Sequence, residues 1–222
     1  MKKSLKNQKP TKSRKRKERS RFGKIFFIAF YSITLFCLVA GFAGAGFIYF
    51  HYSQDLPDVR ELKSYHPSTI TQIYSDGDEK IAEFYIEKRI MVPLEGIPLA
   101  LKQAALAVED SNFYYHFGID PKAIFRAFIT NLKAGSVVEG GSTITQQLTK
   151  TLLLSSERKL SRKIKEAILS VRLELIFTKD EILEMYLNQI YYGHGSYGVQ
   201  AAAHTYFGKS VADLTIAECA MI

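Results

Sequence analysis

Leu160-Ser-Arg-Lys-Ile-Lys-Glu-Ala-Ile-Leu-Ser-Val-Arg-Leu-Glu-Leu175 places apolar side chains at Leu160, Ile164, Ile168, Val171 and Leu175. Spacings of three and four residues return to one face of an α-helix and do not fit the two-residue period of a strand. Signals on either side repeat the reading. Thr143-x-x-Gln146, Thr178-x-x-Glu181 and Thr215-x-x-Glu218 are capping-box patterns, each opening a periodic segment. Asp120-Pro121 predicts an N-cap with proline at the first helical position, and Gly135 a C-terminal stop. Leu101, Ala104, Ala105, Val108 and Phe113 form an earlier helical stripe, beginning after Pro98. Upstream the period changes: Thr69–Tyr74 alternates, Ser75-Asp-Gly-Asp78 reads as a turn, and Lys80–Ile86 resumes the alternation. The expectation is a mainly α fold with a small N-terminal β element.

Ile25–Phe50, IFFIAFYSITLFCLVAGFAGAGFIYF, is a run of 26 residues without a charge. At a rise of ~1.5 Å per residue it exceeds a hydrocarbon core of roughly 30 Å. Ala43-Gly44-Ala45 resembles a signal-peptidase site only weakly, and the run continues through Phe47, Ile48, Tyr49 and Phe50, so an uncleaved transmembrane helix is expected. Of the chain's 30 Lys and Arg, 12 lie in residues 1–24 against the single acid Glu18, leaving 18 basic and 21 acidic side chains beyond. The pI near 9.3 therefore belongs to the tail, and the folded part is not a nucleic-acid binder by charge. A basic segment before an apolar helix stays in the cytoplasm and puts residues from about 51 onward outside. The tail reads as a disordered topology signal that contacts anionic lipid. Cys37 sits in the apolar run and Cys219 near the end of the chain; they are not read as a pair. The division expected is a basic cytoplasmic tail (1–24), a transmembrane helix (25–50), a linker with the β element (51–98) and a helical domain (99–222). Ala220-Met221-Ile222 falls inside a predicted helix without a capping signal, so the helical domain is expected either to stop abruptly or to be an incomplete version of a longer one.

Several polar residues invite chemistry. Glu109 adjoins the Ala105–Val108 edge of its stripe, where partial desolvation would favour the protonated form and suit a general base. The alternative is an ordinary exposed helix glutamate. Glu109 and Asp110, adjacent in the chain, do not face each other as a dyad. His116 reads as a structural hydrogen-bonder, and no second His or Cys stands at zinc spacing. Gly140-Gly-Ser-Thr-Ile-Thr-Gln-Gln147 combines glycines that permit close backbone approach with a helix N-terminus offering N–H groups to an anion. On that helix Ile144, Leu148 and Leu152 are expected to face the core, with Thr143, Gln146, Gln147 and Lys150 on the other side; a flexible loop before a well-capped surface helix is the alternative. Arg158, Lys159, Arg162, Lys163 and Lys165 surround Glu166, either as a cradle for an anionic leaving group or as solvated ion pairs such as Arg162–Glu166. Ser156-x-x-Lys159 imitates the first element of a penicillin-reactive site, but neither Ser-x-Asn nor Lys-Thr-Gly completes it.

Taken in order, Ala107-Val-Glu-Asp-Ser-Asn-Phe-Tyr-Tyr-His-Phe-Gly-Ile-Asp120, Gly140–Gln147, Arg162-Lys-Ile-Lys-Glu166 and Glu181-Ile-Leu-Glu-Met-Tyr-Leu-Asn188 resemble family 51 glycosyltransferases. These are the peptidoglycan glycosyltransferase domains of class A penicillin-binding proteins and monofunctional cell-wall transglycosylases. The resemblance extends through Gly198-Val-Gln-Ala-Ala202, Tyr206-Phe-Gly-Lys209 and Leu214-Thr-Ile-Ala-Glu218.

The resemblance implies a lysozyme-like glycosyltransferase domain with a head lobe and a partly apolar jaw touching the bilayer, for which Phe125, Phe128, Ile129 and Val137 are the candidates. It implies polymerisation of lipid II into β-1,4 glycan with inversion and release of polyprenyl pyrophosphate, inhibited by moenomycin. Glu109 matches the family's base, and Glu166 its second essential glutamate, with a divalent cation (Mg or Mn) as the candidate helper at the pyrophosphate and no metal ligand set fixed. Lys150 and Arg158 match phosphate-holding positions; Arg126, Ser142, Gln146 and Gln147 match the donor-site lining. The expected partners are lipid II, the growing glycan-lipid donor, the membrane and other cell-wall synthesis proteins, and no nucleic acid. The expected location is the bacterial inner (plasma) membrane, single-pass, with the catalytic domain outside. Transpeptidation and β-lactam binding are not expected of these residues. The rival readings are a silent truncated scaffold of a cell-wall complex and a lysozyme-like glycan hydrolase.

Overall fold

The uncharged run lies within one continuous helix, α1 (Ser13–Ser53), in a computed structural model that describes residues 13–65, 71–85, 87–154 and 160–222. Its Phe26–Ser53 portion has a mean hydropathy of 2.2 and is long and apolar enough to cross a membrane. The helix starts inside the basic segment, where a disordered tail is expected from the sequence. Lys and Arg are good helix formers, and extending an existing helix costs far less than nucleating one. The chain divides into a unit Met1–His51, dominated by α1, and a unit Tyr52–Ile222 that carries the remaining elements.

In the second unit the alternating segment forms an antiparallel hairpin of β1 (Thr71–Tyr74) and β2 (Lys80–Phe84), with Thr71 opposite Phe84 and a bulge at Ile73/Tyr74. Thr69, Ile70 and Ile86, also expected in these strands, lie outside the described residues. A second, parallel pairing joins β3 (Lys88–Arg89) to β4 (Ser196–Tyr197). Strands this short carry no readable alternation, and the sequence does not announce them.

The remaining α-helices among the described residues are α2 (Leu99–Glu109), α3 (Pro121–Ala134), α4 (Ile144–Leu153), α5 (Leu160–Glu174), α6 (Lys179–Gln189), α7 (Val199–Phe207) and α8 (Ile216–Met221). All three capping boxes form, at Thr143, Thr178 and Thr215. Asp120 caps α3 by accepting from the backbone N–H groups of Lys122 and Ala123, and Gly135 ends it at φ +67°. Helix α4 packs on α5 and α6, and α2 packs on α8. Their core joins Ile144 and Leu148, Leu169 and Leu173, Ile182, Leu183 and Leu187, with Leu101, Phe113 and Val199.

Two expected stripes need correction. Leu160 at the start of α5 and Leu175 just past its end are exposed, Ile164, Ile168 and Val171 are half-buried, and the buried face is Glu166, Leu169, Ser170 and Leu173. In α2, Val108 is exposed, whereas Leu101 is buried. Polar α6 side chains hold the segment that leads into α2. Asn188 accepts from Val92 N–H at 2.9 Å and donates to its carbonyl at 2.8 Å, and Glu184 accepts from Leu94 N–H at 2.7 Å. Cys37 is exposed and Cys219 buried, both as free thiols.

Gly198, at φ +82°, opens α7 so close to α6 that an added Cβ would lie 2.6 Å from the Asn188 carbonyl oxygen. Backbone cannot yield there as a side chain would. Gly198→Ala is expected to cost more than about 2 kcal/mol. Gly208→Ala, at φ +68° with nothing within 4 Å, is expected to cost only about 1 kcal/mol. Comparing the chemical unfolding of the two variants checks the difference.

Candidate active site

Glu109 is the last residue of α2, and its carboxylate is exposed; the expected partial burial is not found, because Val108 beside it faces outward. Its Oε2 accepts a 2.7 Å hydrogen bond from Gln147 Nε2 on α4. Asp110, one residue on, is buried and serves structure. Its Oδ2 accepts from the Ile144 N–H at 3.0 Å and lies 2.8 Å from His116 Nε2, which therefore carries the proton. His116 is thus the structural hydrogen-bonder expected of it.

The glycine loop does approach other backbone closely: an added Cβ at Gly141 would lie 2.9 Å from the Ile124 Cα in α3. A small polar cavity of ≈ 50 Å³ follows, lined among others by Glu109, Arg126, Gly140 and Ser142. On its other side Glu109 borders a more apolar cleft of ≈ 190 Å³ with Leu101, Tyr186, Tyr192 and Cys219. A larger cleft of ≈ 390 Å³ beside Leu56, Val59 and Arg172 contains none of the candidate residues.

The remaining candidates fall into distinct situations. Arg126 is exposed and paired with Glu139 through Nε at 2.6 Å, a contact that holds the Glu139 carboxyl below its usual range. Ser142 Oγ accepts from Lys163 Nζ at 2.7 Å. Gln146, expected on the outer face, is 3% exposed; its Oε1 accepts from the Thr143 N–H and closes the capping box. Gln147 is half-buried and reaches Glu109, while Lys150 is exposed with no ion pair to the described residues. Arg158 lies outside the described residues, as does the Ser156–Lys159 pattern.

Glu166 is not part of a solvated ion pair. At 2% exposure it meets Lys163 Nζ at 2.7 Å and Arg162 Nη1 at 3.1 Å, the latter without hydrogen-bond alignment, so that its buried Oε1 lacks a hydrogen-bond partner. Lys163 consequently bridges Glu166 and Ser142. The sequence places Lys163 in the basic cluster without singling it out; the available signal is its i,i+3 spacing to Glu166. The described side chains by themselves do not make a complete ligand set for a divalent cation. Among the described residues no group of three or more His, Cys, Asp or Glu converges, and the one buried carboxylate of the cluster is already faced by two cations.

Removing the Asp110 carboxylate strands two buried donors, Ile144 N–H and His116 Nε2–H. Asp110→Ala is expected to destabilise the domain by about 3 kcal/mol, and Asp110→Asn, which keeps an acceptor oxygen, by less. Urea unfolding of both variants in detergent checks the order.

The chain is similar to known proteins over most of its length. The family model described as "Transglycosylase" matches residues 77–222. Penicillin-binding protein 1A of Rickettsia conorii is 47% identical over 193 residues, covering 86% of this chain and 24% of that protein. The protein of the same name from Aquifex aeolicus is 49% identical over 169 residues, 76% of this chain and 23% of its own. That of Escherichia coli K12 is 48% identical over 199 residues, 88% and 23%. The chain thus spans about a quarter of the length of these relatives. Since the family model covers well over half of the chain and takes in the helices that carry Glu109, Gln147 and Glu166, the chain belongs to the transglycosylase family.

Proposed function

We propose that the chain is a peptidoglycan glycosyltransferase that elongates glycan strands from lipid II. The observation that carries this reading is the position of Glu109 on the shared rim of a polar cavity and an apolar cleft, its carboxylate oriented by Gln147. Two substrates must meet at one base, and a carboxylate between two recesses is the geometry that serves them. Glu109 takes the proton of the acceptor's sugar hydroxyl as its oxygen attacks the donor's anomeric carbon. The carbon–oxygen bond to polyprenyl pyrophosphate breaks, and its electron pair departs on the pyrophosphate. Attack opposite the leaving group inverts the anomeric centre and makes the β-1,4 link.

Negative charge that develops on the leaving group needs cations aimed at it. Lys163, held between Ser142 and Glu166, supplies a fixed one; Lys150 and Arg126 supply exposed ones. A hydrolytic reading would require a second carboxyl group facing the bond across from Glu109, whereas Glu166 is buried against Arg162 and Lys163. The lipid substrates agree with the outer face of α3, where Phe125, Phe128 and Leu132 are exposed, as is Val137 beyond it, while Ile129 is half-buried. In this reading α1 anchors the chain with its basic end in the cytoplasm and the second unit outside.

Fluorescent lipid II incubated with the detergent-solubilised chain should yield glycan ladders that moenomycin abolishes. Glu109→Gln keeps size and hydrogen bonding but removes the base, and is expected to slow polymerisation at least about a hundredfold. Ladders undiminished in Glu109→Gln would refute the assignment of the base, and shortening of preformed glycan would favour the hydrolase.

A further inference from the structure

Glu109 is oriented by a side chain that is itself ambiguous. A glutamine amide presents a donor at one end and an acceptor at the other, and rotation by half a turn would set the Gln147 carbonyl oxygen against the Glu109 carboxylate. The Glu109 carboxylate selects the donor end, and a donor facing the other end would hold that choice. On the far side of Gln147 stands Tyr186 of α6, 3% exposed, its hydroxyl 3.4 Å from Gln147 Oε1. Gln147 Oε1 is the only recorded partner of that hydroxyl among the described residues. A buried phenol finds a hydrogen-bond partner, and contacts of this kind are often long before substrate closes the site.

We propose that Tyr186 is a positioning residue for the base, its hydroxyl fixing which end of the Gln147 amide faces Glu109. The inference rests on the reading of Glu109 as base, and extends it through Gln147 to a buried residue of a third helix. The directions of the bonds are settled by chemistry. The carboxylate of Glu109 can only accept, so Nε2 points to it; Oε1 then faces Tyr186, which must donate. Burial, and secondarily the negative charge of Glu109, push ionisation of the Tyr186 phenol far above the physiological range, so the donor persists. Tyr186 belongs to the same helix whose Glu184 and Asn188 hold the segment entering α2, so α6 governs both the helix that carries the base and the orientation of its partner.

Full-length protein in detergent, as wild type, Tyr186→Phe, Gln147→Ala and the double variant, tests this. Tyr186→Phe should lower kcat for lipid II polymerisation roughly three- to tenfold with KM changed less than about twofold. In the Gln147→Ala background the same substitution should change kcat less than about twofold, because the intermediary is gone. A purely structural role would lower kcat equally in both backgrounds and overturn the proposal. The side-chain NH2 resonances of Gln147, assigned by their loss in Gln147→Ala, give a readout independent of turnover. They should shift and exchange faster with solvent in Tyr186→Phe; unchanged resonances would also overturn it. If wild type forms no glycan, the proposed function fails, and the resonances still decide whether Tyr186 sets the amide.

Discussion

Helix α4 begins in the interior, and an α-helix that starts away from water must find partners for N–H groups its own turns cannot satisfy. Thr143 is 2% exposed and Ile144 fully buried. The Thr143 N–H donates to Gln146 Oε1, the Gln146 N–H to Thr143 Oγ1, and the Ile144 N–H to Asp110 Oδ2, while the Thr143 hydroxyl donates to the Gly118 carbonyl at 2.7 Å. Two of these bonds leave the helix, and both land in the segment following Glu109. The end of α2 is thereby fastened to the start of α4. With Asp110 turned inward to serve the helix, its predecessor is left at the surface, and the first turn of α4 brings Gln147 to meet it.

The same logic explains which parts of the fold were legible. Capping boxes, the Asp120-Pro121 start and the Gly135 stop depend on residues within one turn of each other, so their chemistry is complete in the local sequence. The buried face of α5 is different. Arg162 and Lys163 lie within a turn of Glu166, but what packs this face is remote: Ser170 Oγ lies 3.3 Å from Thr149 Oγ1 on α4, and Lys163 carries the link from Glu166 to Ser142. Once those partners exist, polar side chains occupy the interior and Leu160 and Leu175 are left outside. Gln146 illustrates the converse, being counted in the sequence among outward groups although its own capping box draws it inward. The resemblance to a known family marked Glu109, Ser142, Gln147 and Glu166 without showing how they connect. That Lys163 and Tyr186 join them is a tertiary fact, visible only when α5 and α6 are set against α4.

Phe113 shows how one aromatic residue ties these parts together. It is 1% exposed, in the loop between Asp110 and His116, and Lys179 lies over its ring at 4.5 Å. The same ammonium pairs with Glu174 at 2.6 Å, and Glu174 accepts from the Thr145 hydroxyl at 2.7 Å. A lysine desolvated on an aromatic face gains more from the ring's quadrupole than it would in water, and its carboxylate partner offsets the lost hydration. The loop after Glu109 is therefore held from two sides, by the start of α4 through Asp110 and by the α5–α6 corner through Phe113.

That frame gives the cations of the site different characters. A lysine ammonium sits on a flexible four-carbon stem, and holding it in one place costs rotamer entropy. Lys163 is held by two oxygens, at 2.7 Å to Ser142 and 2.7 Å to Glu166, and the carboxylate doing so is itself buried. Burying Glu166 is costly unless cations face it, and Arg162 and Lys163 both do. The arrangement is thus self-consistent: the carboxylate needs the lysine to be tolerated in the interior, and the lysine needs the carboxylate to be fixed beside Ser142. Lys150, exposed on α4, has no such anchor among the described residues and can follow a moving group. In the proposed reaction a departing pyrophosphate acquires charge within the site and then leaves it. A preorganised cation stabilises the first event without reorganising; a mobile one can accompany the second. In that proposed reaction the role of Glu166 is to hold Lys163 in place, which requires no contact between that carboxylate and the substrate.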